Sequence, residues 1–276
     1  MVAKLLVVGG GRMGEALVRG LLVSGWAEPS EVVVSEVSAA RRDELASPGS
    51  LCANYPSLVV VGTEMAPAEA AVVAVKPQDV EGVCRQLAAR GVRRALSIAG
   101  GITTSDLEHW CGPGIAVVRA MPNIAALVGS SASAIAGGTS AGEADIEWAA
   151  GVLAAVGVTV QVPEHLLAAV TGLSGSGPAY LFLVAEALTD AGVLMGLARA
   201  VAARLAAQTL LGAGRLLVET PEGPESWRAA VTSPGGTTAA GLRQLEASGT
   251  RSAFIEASVA AARRARELGS PAAPPP

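Results

Sequence analysis

Aromatic side chains make up only 3% of this 276-residue sequence and charged ones only 16%. With a formal net charge of -4, the chain offers no basic stripe for a nucleic-acid backbone. Histidine occurs only at His109 and His165, which excludes a multi-histidine metal centre. The three cysteines, Cys52, Cys84 and Cys111, show no metal-ligand spacing. Their odd number suits a reducing compartment. Lysine occurs only at Lys4 and Lys76, so the second half has none to serve as an acid or base. Long apolar runs are missing too. The strongest, "PAYLFLVAEALTDAGVLMG", is interrupted by Glu186 and Asp190, whereas a spanning helix needs roughly 20 uninterrupted apolar residues. The opening "MVAKLLVVGGG" is too short in its apolar part for a signal peptide and runs into glycines. A cytoplasmic protein is expected.

Small apolar residues dominate instead. Hydrophobic residues reach 51%, drawn from Ala, Val and Leu, and 33 glycines accompany them. Such a composition supports a large core and excludes disorder. The length suits two domains.

The first half alternates short β-branched runs with helical ones. Strands are expected at 4–9, 31–36, 58–62, 70–75, 93–101 and 114–123, with 131–138 and 158–162 extending the set. Helices are expected at 12–25, 79–91 and 142–157. Apolar strands alternating with helices predict a parallel sheet covered on both faces. After Val162 the strand pattern stops, and helices are expected at 164–170, 178–195, 197–218, 224–231, 238–247 and 251–268. The 178–195 segment is apolar on nearly all sides, from Tyr180 to Leu194. A helix of that kind must be covered all round, and about 110 residues provide little interior, so a second subunit is expected to cover it. The fold class is therefore α/β: a Rossmann-type doubly wound sheet over 1–163, an all-helical dimerisation and substrate domain over 164–270, and a disordered proline-rich tail at 271–276.

Two glycine-rich loops precede helices. In "VVGGGRMG", Gly9, Gly11 and Gly14 follow a strand and open a helix, the pattern that brings a pyrophosphate to free amides at a helix start. The cofactor variant stays open. Glu36 stands where an acidic residue binds a ribose 2′-hydroxyl, while Ser35, Ser38, Arg41 and Arg42 can surround a 2′-phosphate or lie solvated on the next helix. "AVKPQ", "SIAGG" and "RAMPN" end strands on the same edge and predict a cleft there. The second loop, "SPGGTT" at 233–238, reads either as an ordinary capped turn or as a second anion site.

In order, "GGGRMGEAL", "AVKP", "SIAGG", "RAMPN", "TGLSGSGPAY", "DAGVLMGL" and "SPGGTT" with "GLRQLE" resemble the pyrroline-5-carboxylate reductases over about residues 4–268. The resemblance implies a Rossmann domain followed by a helical domain that interleaves with its partner's, giving homodimers that assemble into decamers in some members. It implies hydride transfer from NADPH, or alternatively NADH, to the imine of 1-pyrroline-5-carboxylate, giving L-proline. Cofactor contacts are expected from Gly9, Gly10, Gly11, Arg12, Met13, Gly14, Ser35, Ala74, Val75, Lys76, Pro77, Ala99, Gly100 and Asn123. The amides of Gly236, Thr237 and Thr238 are expected to take the substrate carboxylate, with Gly235 admitting close approach and Ser233 and Glu164 lining the pocket. The Thr238 hydroxyl, meeting the ring nitrogen, is the catalytic candidate. His165 is weighed as a proton donor and set aside as a surface residue; an imine protonates easily, so placement suffices. Tyr180 reads as a packing residue. The sequence departs from the family at Ala229 and Ala230, where an Asp is common, and has no counterpart in "LVVVGTEMAP" for an Asn often near the adenosine. A 3-hydroxyacid dehydrogenase is the first rival, and lacks its second-domain lysine here. A nucleotide-sensing module is the second, and has no use for "SPGGTT".

Overall fold

The structure, a computed structural model, describes residues 2–269. The tail expected at 271–276 lies outside the described residues. Among the described residues eight strands form one sheet: β1 (Ala3–Val8), β2 (Val32–Ser35), β3 (Val59–Val61), β4 (Ala68–Val73), β5 (Arg94–Ser97), β6 (Ala116–Met121), β7 (Ser131–Gly137) and β8 (Gly157–Gln161). Their spatial order is β3-β2-β1-β4-β5-β6-β7-β8. β1 pairs in parallel with β2 on one side and β4 on the other. The winding reverses between these neighbours, which creates a crevice at the C-terminal ends of β1 and β4.

The sequence pattern predicts a parallel sheet, and the structure departs from it at one pairing. β6 and β7 run antiparallel. A parallel crossover takes about a dozen residues or more, and residues 122–130 supply only a 3-10 turn over Ile124–Val128, closed by Gly129 in the left-handed conformation. β8 then returns parallel to β7.

Twelve helices accompany the strands among the described residues: α1 (Arg12–Val23), α2 (Ala39–Ala46), α3 (Leu51–Asn54), α4 (Val80–Leu87), α5 (Thr104–Cys111), α6 (Glu143–Ala154), α7 (Leu167–Val170), α8 (Gly177–Leu194), α9 (Arg199–Glu219), α10 (Pro224–Ala230), α11 (Thr237–Ala247) and α12 (Thr250–Leu268). The pleat of β1 sorts the core into two layers. Leu5 and Val7 pack with Leu17 and Leu21 of α1 and Val152 and Leu153 of α6. Leu6 and Val8 pack with Val83 and Leu87 of α4 and Leu107 of α5. Each fully buried leucine contributes about 1.5–3 kcal/mol, which is why these strands are apolar on both faces. Helix α5 was not foreseen. Its signal is a capping box: Thr103 Oγ1 accepts from Asp106 N at 3.1 Å, and Thr103 N donates to the Asp106 carboxylate at 3.1 Å.

The chain forms two compact units. One contains residues up to Gly175 and those from Ala261, and the other is Ser176–Ala260. Within the second unit α8 and α9 pack closely, since a Cβ on Gly192 would sit 2.8 Å from the Ala202 methyl carbon. The outer faces of these helices remain apolar and bare: Phe182 is 61% exposed, Leu183 66% and Leu194 89%.

Candidate active site

The strand β1 ends on the first glycine loop. Gly9 has φ +105°, and a Cβ there would lie 2.5 Å from the Ala74 carbonyl oxygen, so the loop rests directly on the end of β4. A Cβ on Gly14 would overlap the Gly9 carbonyl oxygen. Gly11 is different. It caps α1 with no side-chain hydrogen bond, and the space its missing Cβ would enter is empty within 4 Å. The amides of the first turn of α1 have no partners within the helix and face an open approach. That cradle fits the pyrophosphate of a dinucleotide.

Around the loop, Glu36 at the end of β2 accepts from Gly10 N at 2.9 Å and from Ser38 N at 2.8 Å. Arg41 donates to the Gly10 carbonyl at 2.8 Å and pairs with Glu15 at 2.5 Å and Glu44 at 2.7 Å. Burial raises the Glu15 carboxyl, but hydrogen bonds from Arg19 and Arg41 outweigh it and hold that group below the ordinary carboxylate range. Arg42 donates to the carbonyls of Glu36 and Val37 at 2.7 and 2.9 Å. Both arginines are therefore bonded to protein groups. Ser35 is buried in the sheet and donates to the Gly62 carbonyl at 3.0 Å.

The neighbouring strand ends follow. Ala74 N donates to Val8 O at 2.8 Å, and Ile98 N to Val73 O at 3.1 Å, so the ends of β1, β4 and β5 are stitched together. Arg12, Lys76, Pro77 and Gly100 are exposed, Met13 and Val75 half-buried, and Ala99 buried. Asn123 is occupied internally. Its side chain donates to Ser174 O at 3.0 Å and accepts from Ala125 N at 3.1 Å, while its amide donates to Ser131 Oγ at 3.1 Å.

Glu164 is held in a way sequence reasoning missed. It accepts from the Thr104 amide at 2.7 Å, the Thr104 hydroxyl at 2.6 Å and Arg119 at 3.0 Å. Burial raises its carboxyl, and the Thr104 and Arg119 hydrogen bonds overcome that, holding it below the ordinary range. Its place at the head of α5 was readable only once the capping box at Thr103 was. His165 is exposed.

The second glycine loop belongs to the helical unit. Gly235 has φ +69°, which favours glycine, and Gly236 N donates to Ser233 O at 3.0 Å to close the turn. A Cβ on Gly236 would strike the Ser233 hydroxyl. Gly236 caps α11 with φ -76° and ψ 173° and no side-chain hydrogen bond. Thr237 is exposed and Thr238 half-buried at the head of this 11-residue helix. Because the Gly236 amide is spent in the turn, the amides left at this helix start begin with Thr237.

Known proteins share both halves. Residues 164–268 match the family model for pyrroline-5-carboxylate reductase dimerisation. Residues 4–98 match the model described as NADP oxidoreductase coenzyme F420-dependent. A pyrroline-5-carboxylate reductase from Synechocystis is 44% identical over 98% of this chain and 99% of its own. One from Methanosarcina acetivorans is 40% identical over 96% and 98%. Among solved structures, a pyrroline-5-carboxylate reductase from Coxiella burnetii superposes with a TM-score of 0.88 at 33% identity, covering 98% of this chain and 100% of that one. The Plasmodium falciparum enzyme, solved with NADP bound, gives 0.82 at 26% identity over 97% and 98%. A phosphate-ready glycine loop at the sheet's switch point, a second glycine-opened helix start and identity along nearly the whole length lead to one conclusion: this chain belongs to the pyrroline-5-carboxylate reductase family.

Proposed function

We propose that the chain reduces 1-pyrroline-5-carboxylate to L-proline with NAD(P)H, and that two helix starts opened by glycine hold the two anionic ligands. When bound, the reduced dinucleotide supplies the hydride that adds to the imine carbon. The ring nitrogen of the substrate takes the electron pair of the C=N bond and ends as the secondary amine of proline. Gly11 and the first-turn amides of α1 receive the pyrophosphate, and Gly10, whose amide bonds Glu36, borders it. Ala74, Val75, Lys76, Pro77, Ala99 and Gly100 border the rest of the crevice, and Glu36 is positioned for a ribose hydroxyl. Thr237 and Thr238 hold the substrate carboxylate through their amides, and the Thr238 hydroxyl meets the ring nitrogen. Holding the iminium in place removes most of the need for a separate acid. Glu164 acts by fixing Thr104 and Arg119 rather than by touching the substrate. We place the enzyme in the cytoplasm as a homodimer, with those dimers assembling into a decamer.

The observation that carries this reading is the start of α11, where a turn ordered by Gly235 and Gly236 leaves a helix without a side-chain cap. The test follows NADPH absorbance with pyrroline carboxylate and, separately, NADP reduction with a 3-hydroxyacid. Turnover is expected with the cyclic imine alone. Thr238→Ala is expected to raise the substrate KM about tenfold or more while leaving cofactor Kd unchanged. Absence of turnover with either nicotinamide dinucleotide contradicts the reading.

A further inference from the structure

The N-terminal edge of the sheet carries a groove that imine reduction does not use. Lys4, Arg90, Arg93 and Arg94 line it together with Trp26 and Trp148, around a volume of about 710 Å³. That is the size range of small-molecule sites. The groove sits at the starts of β1, β4 and β5, a strand length of about 20 Å from the dinucleotide crevice at their other ends. Among the described residues, none that lines it falls in the dimerisation region 164–268. Among the described lining residues the only carboxylate is Glu69.

Two of the four cations are already engaged. Lys4 Nζ lies 4.4 Å from the centre of the Trp26 ring and donates to the Trp26 carbonyl at 2.6 Å. The Arg94 guanidinium lies 5.6 Å from the Trp148 ring centre and 3.6 Å from the Asp145 carboxylate. The other two are not engaged. Among the described residues Arg90 Nε is buried without a hydrogen-bond partner, and the side chains of Arg90 and Arg93 make no ion pair. A buried donor left unpaired costs about 1–3 kcal/mol, and such groups are rare unless something outside the chain accepts their protons. Guanidinium groups match phosphate oxygens in pairs, and tryptophan rings stack on planar rings.

We propose that this groove is a second ligand site, for a small phosphate monoester that carries a planar ring. Arg90 and Arg93 take the phosphate, and the wall formed by Trp26 and Trp148 takes the ring. The site is separate from the cofactor crevice, so both fill together.

The test is calorimetric titration of the full chain with uridine 5′-monophosphate, with NADP held at saturation to occupy the crevice. Uridine and inorganic phosphate serve as the two halves of the probe. Uridine monophosphate is expected to bind at least tenfold more tightly than either half. Arg93→Ala and Arg90→Gln are each expected to weaken it at least tenfold while NADP affinity stays unchanged, which also reports an intact fold. Arg93 is exposed, so its loss leaves the core untouched. Affinity weaker than about 1 mM overturns the proposal, as does binding that both variants retain. Equal affinity for inorganic phosphate and the nucleotide overturns the assignment of the ring.

Discussion

Glu36 stands at the end of β2, and both of its carboxylate oxygens already accept backbone amides. Those amides fix the carboxylate in place beside the glycine loop. A fixed carboxylate accepts a ribose hydroxyl and repels a 2′-phosphate. Glu36→Gln keeps an acceptor for Gly10 N and removes the charge. It is expected to raise the ratio of NADPH to NADH affinity about tenfold, measured as Kd for each cofactor; an unchanged ratio contradicts the assignment. The residue and its place were legible from the sequence, because a strand end about 20 residues past a glycine loop is where such an acid acts. Its partners were not. The sequence groups Ser35 with the cofactor and offers Arg41 and Arg42 as alternatives for a 2′-phosphate. The structure instead turns Ser35 toward Gly62 O and bonds Arg41 to Glu15, Glu44 and Gly10 O. Those bonds cross between elements, and sequence spacing does not encode them.

At the scale of elements, the strands and their helices were readable where apolar runs were long. Strand β1 and helix α1 match their expected positions to within two residues. Helix α5 escaped because it is short and mixed in polarity; its announcement lies in Thr103 and Asp106, outside any apolar stripe. The reversal at β7 escaped because β-branched and small residues look alike in either direction, although the short 122–130 connection carries the signal. Glu164 joins two of these elements, bonding Thr104 at the head of α5 and Arg119 on β6. Its carboxyl is depressed in the folded chain. Its contribution is therefore fully present above the unfolded carboxyl value of about 4.3 and is lost as pH falls through the lower folded value. Glu164→Gln is expected to lower Tm by a constant amount above about pH 5, with the gap to wild type shrinking as pH falls below it. A gap that widens toward acid contradicts the assignment.

For the whole molecule, the informative surface is apolar. The stretches Glu164–Leu194 and Arg199–Glu219 are long and apolar enough to cross a membrane by length and composition, with only 11% of each window buried. They fall within the family's dimerisation region, residues 164–268. A bare apolar face of this kind gains about 1.5–3 kcal/mol for each large side chain that an interface covers. The sequence foretold this from a helix with no polar side. Phe182→Asp places a charge on that face. It is expected to shift the sedimenting species from dimer toward monomer at micromolar concentration, with Rossmann-unit cofactor binding retained. A variant that still sediments as a dimer contradicts burial of α8 between subunits.

The grip of main-chain amides at the start of α11 is open to one direct measurement. Thr237 is the first helical residue, where proline is tolerated, and Gly236 already has the extended backbone that a following proline requires. Thr237→Pro therefore deletes one amide donor and leaves the helix in place. Measured side by side, the substrate KM is predicted to rise about tenfold or more while cofactor Kd holds. An unchanged substrate KM contradicts the claim that this helix start holds the substrate carboxylate.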